Sequence, residues 1–432
     1  MRKQLVYAAA IGAVSMGLGF AGAQAQPSGE ITVWSWNIAA EALEMLVPDF
    51  NKKYPDVKVT VVNMSHNDVR DRSLAGCAAG GADMPDVVTV ENSGEAELYW
   101  NRFPDCFAKL NQFGVEKYKD VFPAFKWTEL TIGDDVYSLP WDSGPVFAFY
   151  RRDIYEQAGV DPNSIETWDD WIAAGQKIKE ATGGKTKMAA MELGTDDEWF
   201  RMLANQASCW YYSPEGDSVI VNQPGCVKAL ETVKKIWDAD LLAVGDWNGK
   251  LQNIKADAVA GAVWGGWYEG GIRSATPEQS GKWGGYPIPA YEPGGVRAAN
   301  TGGSSLAITE GSPNKEAAWA FIEYALTTDE GQVSMFKNRG LIPSLLSAAN
   351  SDFAKSPQEY WGGQPLWADM LATADKIPIS RATQFYVDGR AIMKVIVNDY
   401  LTSDKYPSAQ AALDDAAQQM STASGLPVAA GG

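Results

Sequence analysis

Residues 31–36 form a β-branched and aromatic run, residues 39–54 carry Leu43, Leu46, Val47, Phe50 and Tyr54 at helical spacing, and residues 57–62 are β-branched again. A second helical stretch over 68–79 leads through Met84-Pro85 into Asp86-Val87-Val88-Thr89-Val90, a third strand. Strand, helix, strand, helix, strand leaves few solutions. The strands pair in parallel through right-handed crossovers, and ligands on such α/β sheets gather beyond the carboxyl ends of the strands. Those ends are Trp36-Asn37, residues 63–67 and Glu91-Asn92. Pro48 lies inside the first helix and lacks an N–H, so a kink or break is expected there, and Pro55 ends the segment.

A second mixed unit begins beyond Val146. Residues 146–150 read as a strand, Thr167-Trp168-Asp169-Asp170 opens a helix in capping-box style, and residues 259–263 read as another strand before a tract of paired glycines. Ser312-Pro313 is expected to start a helix bearing Ala318, Phe321, Ile322, Ala325 and Leu326, with residues 327–330 as a second capping box. The last hundred residues read as mainly helical. No solenoid repeat or long linker separates the units, so several chain crossings are allowed.

Arg2 and Lys3 precede a mostly apolar run to Ala23, closed by Ala23-Gln24-Ala25, which reads as a signal peptide cleaved after Ala25. Gly12, Gly17, Gly19 and Gly22 weaken the run as a spanning helix, and no cysteine near the cleavage site supports a lipid anchor. Release into a periplasm is expected, with enough chain left for two domains. The formal charge of −18 disfavours phosphate backbones and anionic lipid surfaces, so nucleic-acid binding is not expected.

The 4 cysteines are Cys77, Cys106, Cys209 and Cys226. Three pairings are possible; the local ones, Cys77 with Cys106 and Cys209 with Cys226, are favoured in an oxidising space, with free thiols as the alternative. Zinc has little support, because the spacings are wide and His66 is the one histidine. For the same reason a Ser-His-Asp site has little material. His66 itself ends the second strand, where it can touch ligand or simply be solvated.

Five stretches together resemble the family 1 extracellular solute-binding proteins of bacterial ABC importers. They are Ile31-Thr32-Val33-Trp34; Tyr54-Pro55-Asp56-Val57-Lys58-Val59; Pro85-Asp86-Val87-Val88; Tyr137-Ser138-Leu139-Pro140-Trp141-Asp142 leading to Phe149-Tyr150-Arg151-Arg152-Asp153; and Ser312-Pro313-Asn314-Lys315-Glu316-Ala317-Ala318 before Thr328-Asp329-Glu330-Gly331. The resemblance implies an α/β periplasmic-binding-protein fold: two α/β lobes joined by several crossing hinge segments, with the ligand in the cleft and lobe closure as the response. By analogy, residues 26–144 and 303–347 form the first lobe, and 145–302 and 348–432 the second. The implied function is capture of a sugar, as a mono- or oligosaccharide or derivative, by a monomer that delivers it to permease subunits in the inner membrane. No cofactor, no metal and no chemical turnover are expected.

A neutral sugar needs flat aromatic plates and planar polar groups, and the chain has 17 Trp and 17 Tyr. The candidate ligand-binding residues are Trp36, Asn37, Glu91 and Asn92 at strand ends, Asp142 at the first crossing, Trp264 and then Trp267 beside Gly265-Gly266, and Arg381 ahead of Phe385-Tyr386. Each has a plain packing, capping or surface role as its alternative. Two other functions are weighed. A secreted glycoside hydrolase would draw a carboxylate pair from Asp196-Asp197-Glu198. A binding protein for ferric iron or a polyamine would use Tyr211-Tyr212, although that pair beside Cys209 reads better as packing against a disulfide.

Overall fold

The structure is a computed structural model and describes residues 26–92, 94–379 and 383–430. The expected signal peptide, residues 1–25, therefore lies outside the described residues. Among the described residues, no helix is long and apolar enough to cross a membrane.

A five-stranded sheet runs in the order Val57–Met64, Gly29–Trp36, Val87–Glu91, Ser304–Ile308, Ser138–Pro140. The first three strands are parallel, as expected from the crossovers, and the last two join antiparallel. Alternate strand residues point to opposite faces, so neighbouring valines serve different cores. Val87 joins Ile31, Val33 and Leu43 on one face, whereas Val88 and Val90 join Tyr99, Trp100 and Phe107 on the other. The antiparallel strand Ser304–Ile308 brings a distant segment into this sheet, with Ser304 opposite Glu91 at the carboxyl end of the parallel strands.

The second unit is built on an antiparallel sheet ordered Gly261–Gly265, Val146–Arg151, Trp283–Pro287, and a parallel pair, Ala189–Met191 with Leu242–Val244. Its core takes buried side chains from Val146 to Ala299 and from Ala354 to Met420. The cores on the first sheet take theirs from Ile31 to Trp141 and from Leu306 to Ala348. Phe336 and Ile342 are exceptions, since both insert into the second lobe's core.

Both local disulfides are present, Cys77–Cys106 and Cys209–Cys226, each with Cα atoms 5.4 Å apart. The Thr167 capping box forms with Asp170, ahead of the helix Trp168–Ala181. Four local expectations change. The helix Asn37–Lys53 runs unbroken through Pro48, because Pro48 and Glu44 both lie on its exposed face, where water can satisfy the freed Glu44 carbonyl. The Ser312 hydroxyl donates to Asp86 and accepts from the Asn314 N–H, and the helix Lys315–Thr327 begins later, with Asn314 at its N-cap. The second cap is Thr328, whose hydroxyl accepts from the Gly331 N–H; Thr327 turns back to the Glu323 carbonyl. The strand expected over 259–263 is Gly261–Gly265, which places Trp264 inside it, opposite Phe147.

Candidate interlobe ligand site

Three chain segments lie side by side between the lobes. Residues 141–146 form the centre, flanked by 299–304 through Val146 N to Ala299 O (2.8 Å), Thr301 N to Gly144 O (2.9 Å) and Trp141 N to Ser304 O (2.9 Å). On the other side, Ser143 N donates to Ile342 O and Ser344 N to Trp141 O, each at 2.9 Å. The Gly144 N–H donates to Asn300 Oδ1, and the Asn300 N–H to Asn205 Oδ1, tying the second lobe to the crossing. A side chain at Gly144 would overlap the Thr301 carbonyl, so the segments approach this closely only with glycine there.

The first lobe presents its strand ends to this hinge. Asn37 adopts a left-handed backbone (φ 44°), a conformation that asparagine tolerates better than most residues, as the chain turns from strand into helix. Trp36 packs edge-on against His66, with centroids 4.8 Å apart, and His66 Nε2 lies 3.3 Å from the buried Glu95 carboxylate. Burial works to lower the imidazole pKa, but Glu95 outweighs it and holds His66 above its ordinary value. Asn92 is buried, with its N–H on Gly303 O and its Nδ2 on Ser304 O.

Asp142 sits beneath these groups. Its Oδ1 accepts from both the N–H and the hydroxyl of Ser304. Beside it is Lys126, 0% exposed, whose Nζ lies 3.6 Å from Glu129 Oε2 and has no hydrogen-bond partner among the described residues. Burial pushes Asp142 above the ordinary carboxyl range and Glu129 up to about 7, while Lys126 pulls both back. The hinge side of the first lobe is thus a buried polar cluster with unspent hydrogen-bonding capacity.

Aromatic rings dominate the facing part of the second lobe. Trp267 donates from Nε1 to Thr301 O at 3.0 Å, which fixes it to the crossing segment. Trp247 stacks on Trp267 with centroids 5.9 Å apart and planes 19° apart, and Trp247 is 43% exposed. Trp264 and Tyr268 meet both rings edge-on and each other at a tilt. Trp264 is only 8% exposed, and the Lys250 ammonium lies over its face, 2.9 Å from the centroid. Glu198 and Glu192 hold that ammonium at 2.8 and 3.1 Å.

A second group surrounds Tyr386, at the start of the helix Tyr386–Thr402. Arg201 donates to the Tyr386 hydroxyl (3.2 Å), Asp197 (2.8 Å) and Asp196 (2.6 Å), and Arg390 also donates to Asp196. Burial works to raise the Asp196 pKa, but the two guanidinium groups outweigh it and hold that carboxyl well below the usual range. Burial pushes Asp197 upward and Glu198 up to about 7.

A family model described as bacterial extracellular solute-binding protein matches residues 35–332, more than half the chain. The chain belongs to that family. This solute-binding protein is 30% identical to a lactose-binding protein of Rhizobium radiobacter, over 81% of this chain and 83% of that one. It is 27% identical to an arabinooligosaccharide-binding protein of Bacillus subtilis (strain 168), covering 90% and 92% of the two chains. The fold matches the galacto-N-biose-/lacto-N-biose I-binding protein of Bifidobacterium longum at TM-score 0.76 and 20% identity, over 93% of this chain and 99% of that one. It also matches an ABC-transporter-associated binding protein from B. animalis subsp. lactis Bl-04 at TM-score 0.75 and 23% identity, over 93% and 100%. The fold is that of the periplasmic binding proteins, two α/β lobes joined by crossing segments.

In this solute-binding protein the strand-end residues Trp36, Asn37, Glu91 and Asn92 gather at one sheet edge, with Asp142 at the adjoining crossing. Trp264 underlies the aromatic group, whereas Trp267 and Trp247 carry its accessible surface. Arg381 lies outside the described residues. Sequence reasoning did not single out Trp247, Lys126, Tyr386 or Arg390, which the structure brings into these groups. For Trp247 the available signal was Asp246, which caps the Gly249 N–H and sets the tryptophan at the start of the helix Trp247–Lys255. The carboxylates considered for hydrolysis are held by Arg201, Arg390 and Lys250. The Tyr211 hydroxyl bonds Asp197 and the Tyr212 hydroxyl bonds Phe385 O, so both phenols are engaged inside the lobe.

Proposed function

We propose that this chain captures a mono- or oligosaccharide between its lobes, carries it unchanged through the periplasm after cleavage at Ala25, and hands it to the permease of an ABC importer. The lobes divide at 144/145, 302/303 and 347/348. The observation that carries the reading is the stacked Trp247–Trp267 pair, fixed to the crossing segment through Thr301 and facing a hinge lined by buried planar polar groups. An aromatic plate matches the C–H face of a pyranose, and carboxylate, amide and guanidinium groups match its hydroxyls. The sugar-binding names of the relatives point the same way. Trp36, Asn37, Glu91, Asn92 and Asp142 supply the first lobe's contacts; Trp247, Trp267, Tyr386 and Arg390 supply the second's, over Trp264 as support. Arg381 is proposed to join them from its place ahead of Tyr386.

A ligand that touches both lobes only when they close shifts the open and closed populations by its differential affinity. A thermal-shift screen of the mature protein with lactose, arabino-oligosaccharides and galactobiose tests the reading, since binding to the native state alone raises stability by mass action. One sugar family should raise the midpoint in proportion to the logarithm of its concentration and be recovered uncleaved. Cleavage, or stabilisation by ferric salt or polyamine in place of any sugar, would sink the proposal.

A further inference from the structure

The sequence contains one Asn-Gly dipeptide, Asn248-Gly249, immediately after Trp247 of the proposed sugar plate. Both residues lie in the first turn of the helix Trp247–Lys255, and Asn248 is exposed. Its side-chain amide has no hydrogen-bond partner among the described residues. An asparagine placed in this way has its side-chain carbonyl carbon within reach of the next backbone nitrogen, and a glycine there leaves that nitrogen uncrowded.

A helix leaves the N–H groups of its first turn without intrahelical acceptors, and Gly249 is among them; the backbone ladder begins one residue later, with Lys250 N on Asp246 O at 2.8 Å. The Gly249 N–H is held by the Asp246 side chain, whose Oδ1 accepts from it at 2.7 Å as the N-cap bond. A carboxylate at that distance also disfavours loss of the amide proton, because the nitrogen anion would face a negative charge. Gly245 seats the turn from the other side: a Cβ added there would stand 2.8 Å from the Gly249 carbonyl carbon. Attack by the Gly249 nitrogen needs Asn248 out of the helical backbone conformation, so the capped turn must open first. The Asp246 bond is what opposes that opening.

We propose that Asn248 is a self-modification site, guarded by the Asp246 cap and converted to isoaspartate when that turn opens. The Gly249 nitrogen attacks Asn248 Cγ; the new N–C bond replaces the Cγ–Nδ2 bond, and ammonia leaves with the Gly249 amide proton. Water then opens the cyclic imide at either carbonyl, giving aspartate or isoaspartate, and the new carboxyl releases a proton. Aspartate suits a helix N-terminus and leaves the main chain unaltered. Isoaspartate routes the main chain through the former side chain and adds a methylene ahead of Gly249, which breaks the register of the Asp246 bond and draws Trp247 from its stack on Trp267. The effect on sugar binding rests on the proposed plate, whereas the modification itself does not.

The test is peptide mapping by mass spectrometry of the mature chain aged at mildly alkaline pH. The peptide spanning Asn248 should exchange its side-chain NH2 for OH and become a substrate for isoaspartyl methyltransferase, while the exposed Asn63 and Asn338, followed by Met64 and Arg339, stay amidated over the same time. Asp246→Ala should speed the change about fivefold, the extra opening that loss of a typical cap permits, and Asp246→Ser, which keeps a capping oxygen, should not. Circular dichroism checks the fold; if Asp246→Ala fails to fold, the wild-type peptides decide. An Asn248 peptide as inert as those of Asn63 and Asn338, or an unchanged rate in folded Asp246→Ala, would overturn the proposal. In the second arm, the isoaspartate form separated by ion exchange should bind the cognate sugar about tenfold more weakly, as for loss of the Trp247 plate, while Asn248→Asp matches wild type. Wild-type affinity in the isoaspartate form would overturn the consequence for the plate and leave the modification standing.

Discussion

The ring of Tyr386 on the second lobe packs so closely on the α-carbon of Gly94 on the first that a methyl group at 94 would overlap its Cδ1 and Cε1 atoms. The ring has little room to yield, since Arg201 holds its hydroxyl and the rings of Tyr211 and Trp210 stack beside it. Gly94→Ala should therefore prop the lobes apart. Affinity for the cognate sugar should fall about tenfold, or ~1.4 kcal/mol. Small-angle scattering should show the compaction on saturation reduced relative to wild type; full compaction at wild-type affinity would show that the ring yields after all.

The tryptophans of the aromatic group should separate by role. Trp247→Ala removes accessible plate and should cost roughly 1–3 kcal/mol of sugar binding with little loss of stability; Trp267→Ala should cost as much in binding and also about 1–3 kcal/mol in stability, because it leaves the Thr301 carbonyl without its donor. Trp264→Ala removes a buried ring and leaves Lys250 without its aromatic face, so about 3–5 kcal/mol should be lost from folding. Calorimetry paired with urea unfolding reads both quantities.

Asp142 links binding and folding at the hinge. Asp142→Ala leaves the Ser304 N–H and hydroxyl without their acceptor and deprives Lys126 of a neighbouring charge, and should cost about 3 kcal/mol or more in stability as well as weakening the sugar. Asp142→Asn keeps an acceptor and should be milder in both. Equal effects of the two substitutions would show that the charge, not the hydrogen bonds, is what matters.

Stability should fall as pH rises from about 4.5 to about 7. Glu129, Glu198 and Glu269 are pushed from an ordinary 4.5 up to about 7 by burial, so across that window the folded chain holds protons that the unfolded chain has released. Below the window their contribution is fully present; through it the contribution is lost, with an upper bound on the order of 3 kcal/mol for each group. Glu129→Gln should flatten the urea-unfolding profile over this range, and a profile as steep as wild type would remove Glu129 from the account.

Each disulfide closes a modest loop, with sequence separations of 29 and 17, and should contribute about 3 kcal/mol. Replacing Cys209 and Cys226 together by serine should lower the unfolding midpoint without altering sugar affinity, because that bridge is buried within the second lobe. A large loss of affinity at unchanged stability would reverse this assignment.

The strands Ser138–Pro140, Trp283–Pro287 and Ser304–Ile308 were not legible in the sequence, whereas the strand–helix order over residues 31–90, the parallel pairing of those three strands, both disulfides and the placing of Trp36, Asn37, Glu91 and Asn92 at strand ends were. Local periodicity and loop length set these features, and each is expressed over a few neighbouring residues. Pro48 and Thr327 misled because their outcomes depend on which side of a helix faces water and which hydroxyl reaches the next turn. The site itself was decided by tertiary structure. Ser304 meets Asp142 across 162 positions of chain, Arg201 meets Tyr386 across 185, and Lys250 covers the face of Trp264 so that Trp247 and Trp267 become the accessible plate. A tryptophan carries the same hydrophobic signal whether it is to support a platform or to form its surface, and only the packing of distant segments around it determines which face water can reach.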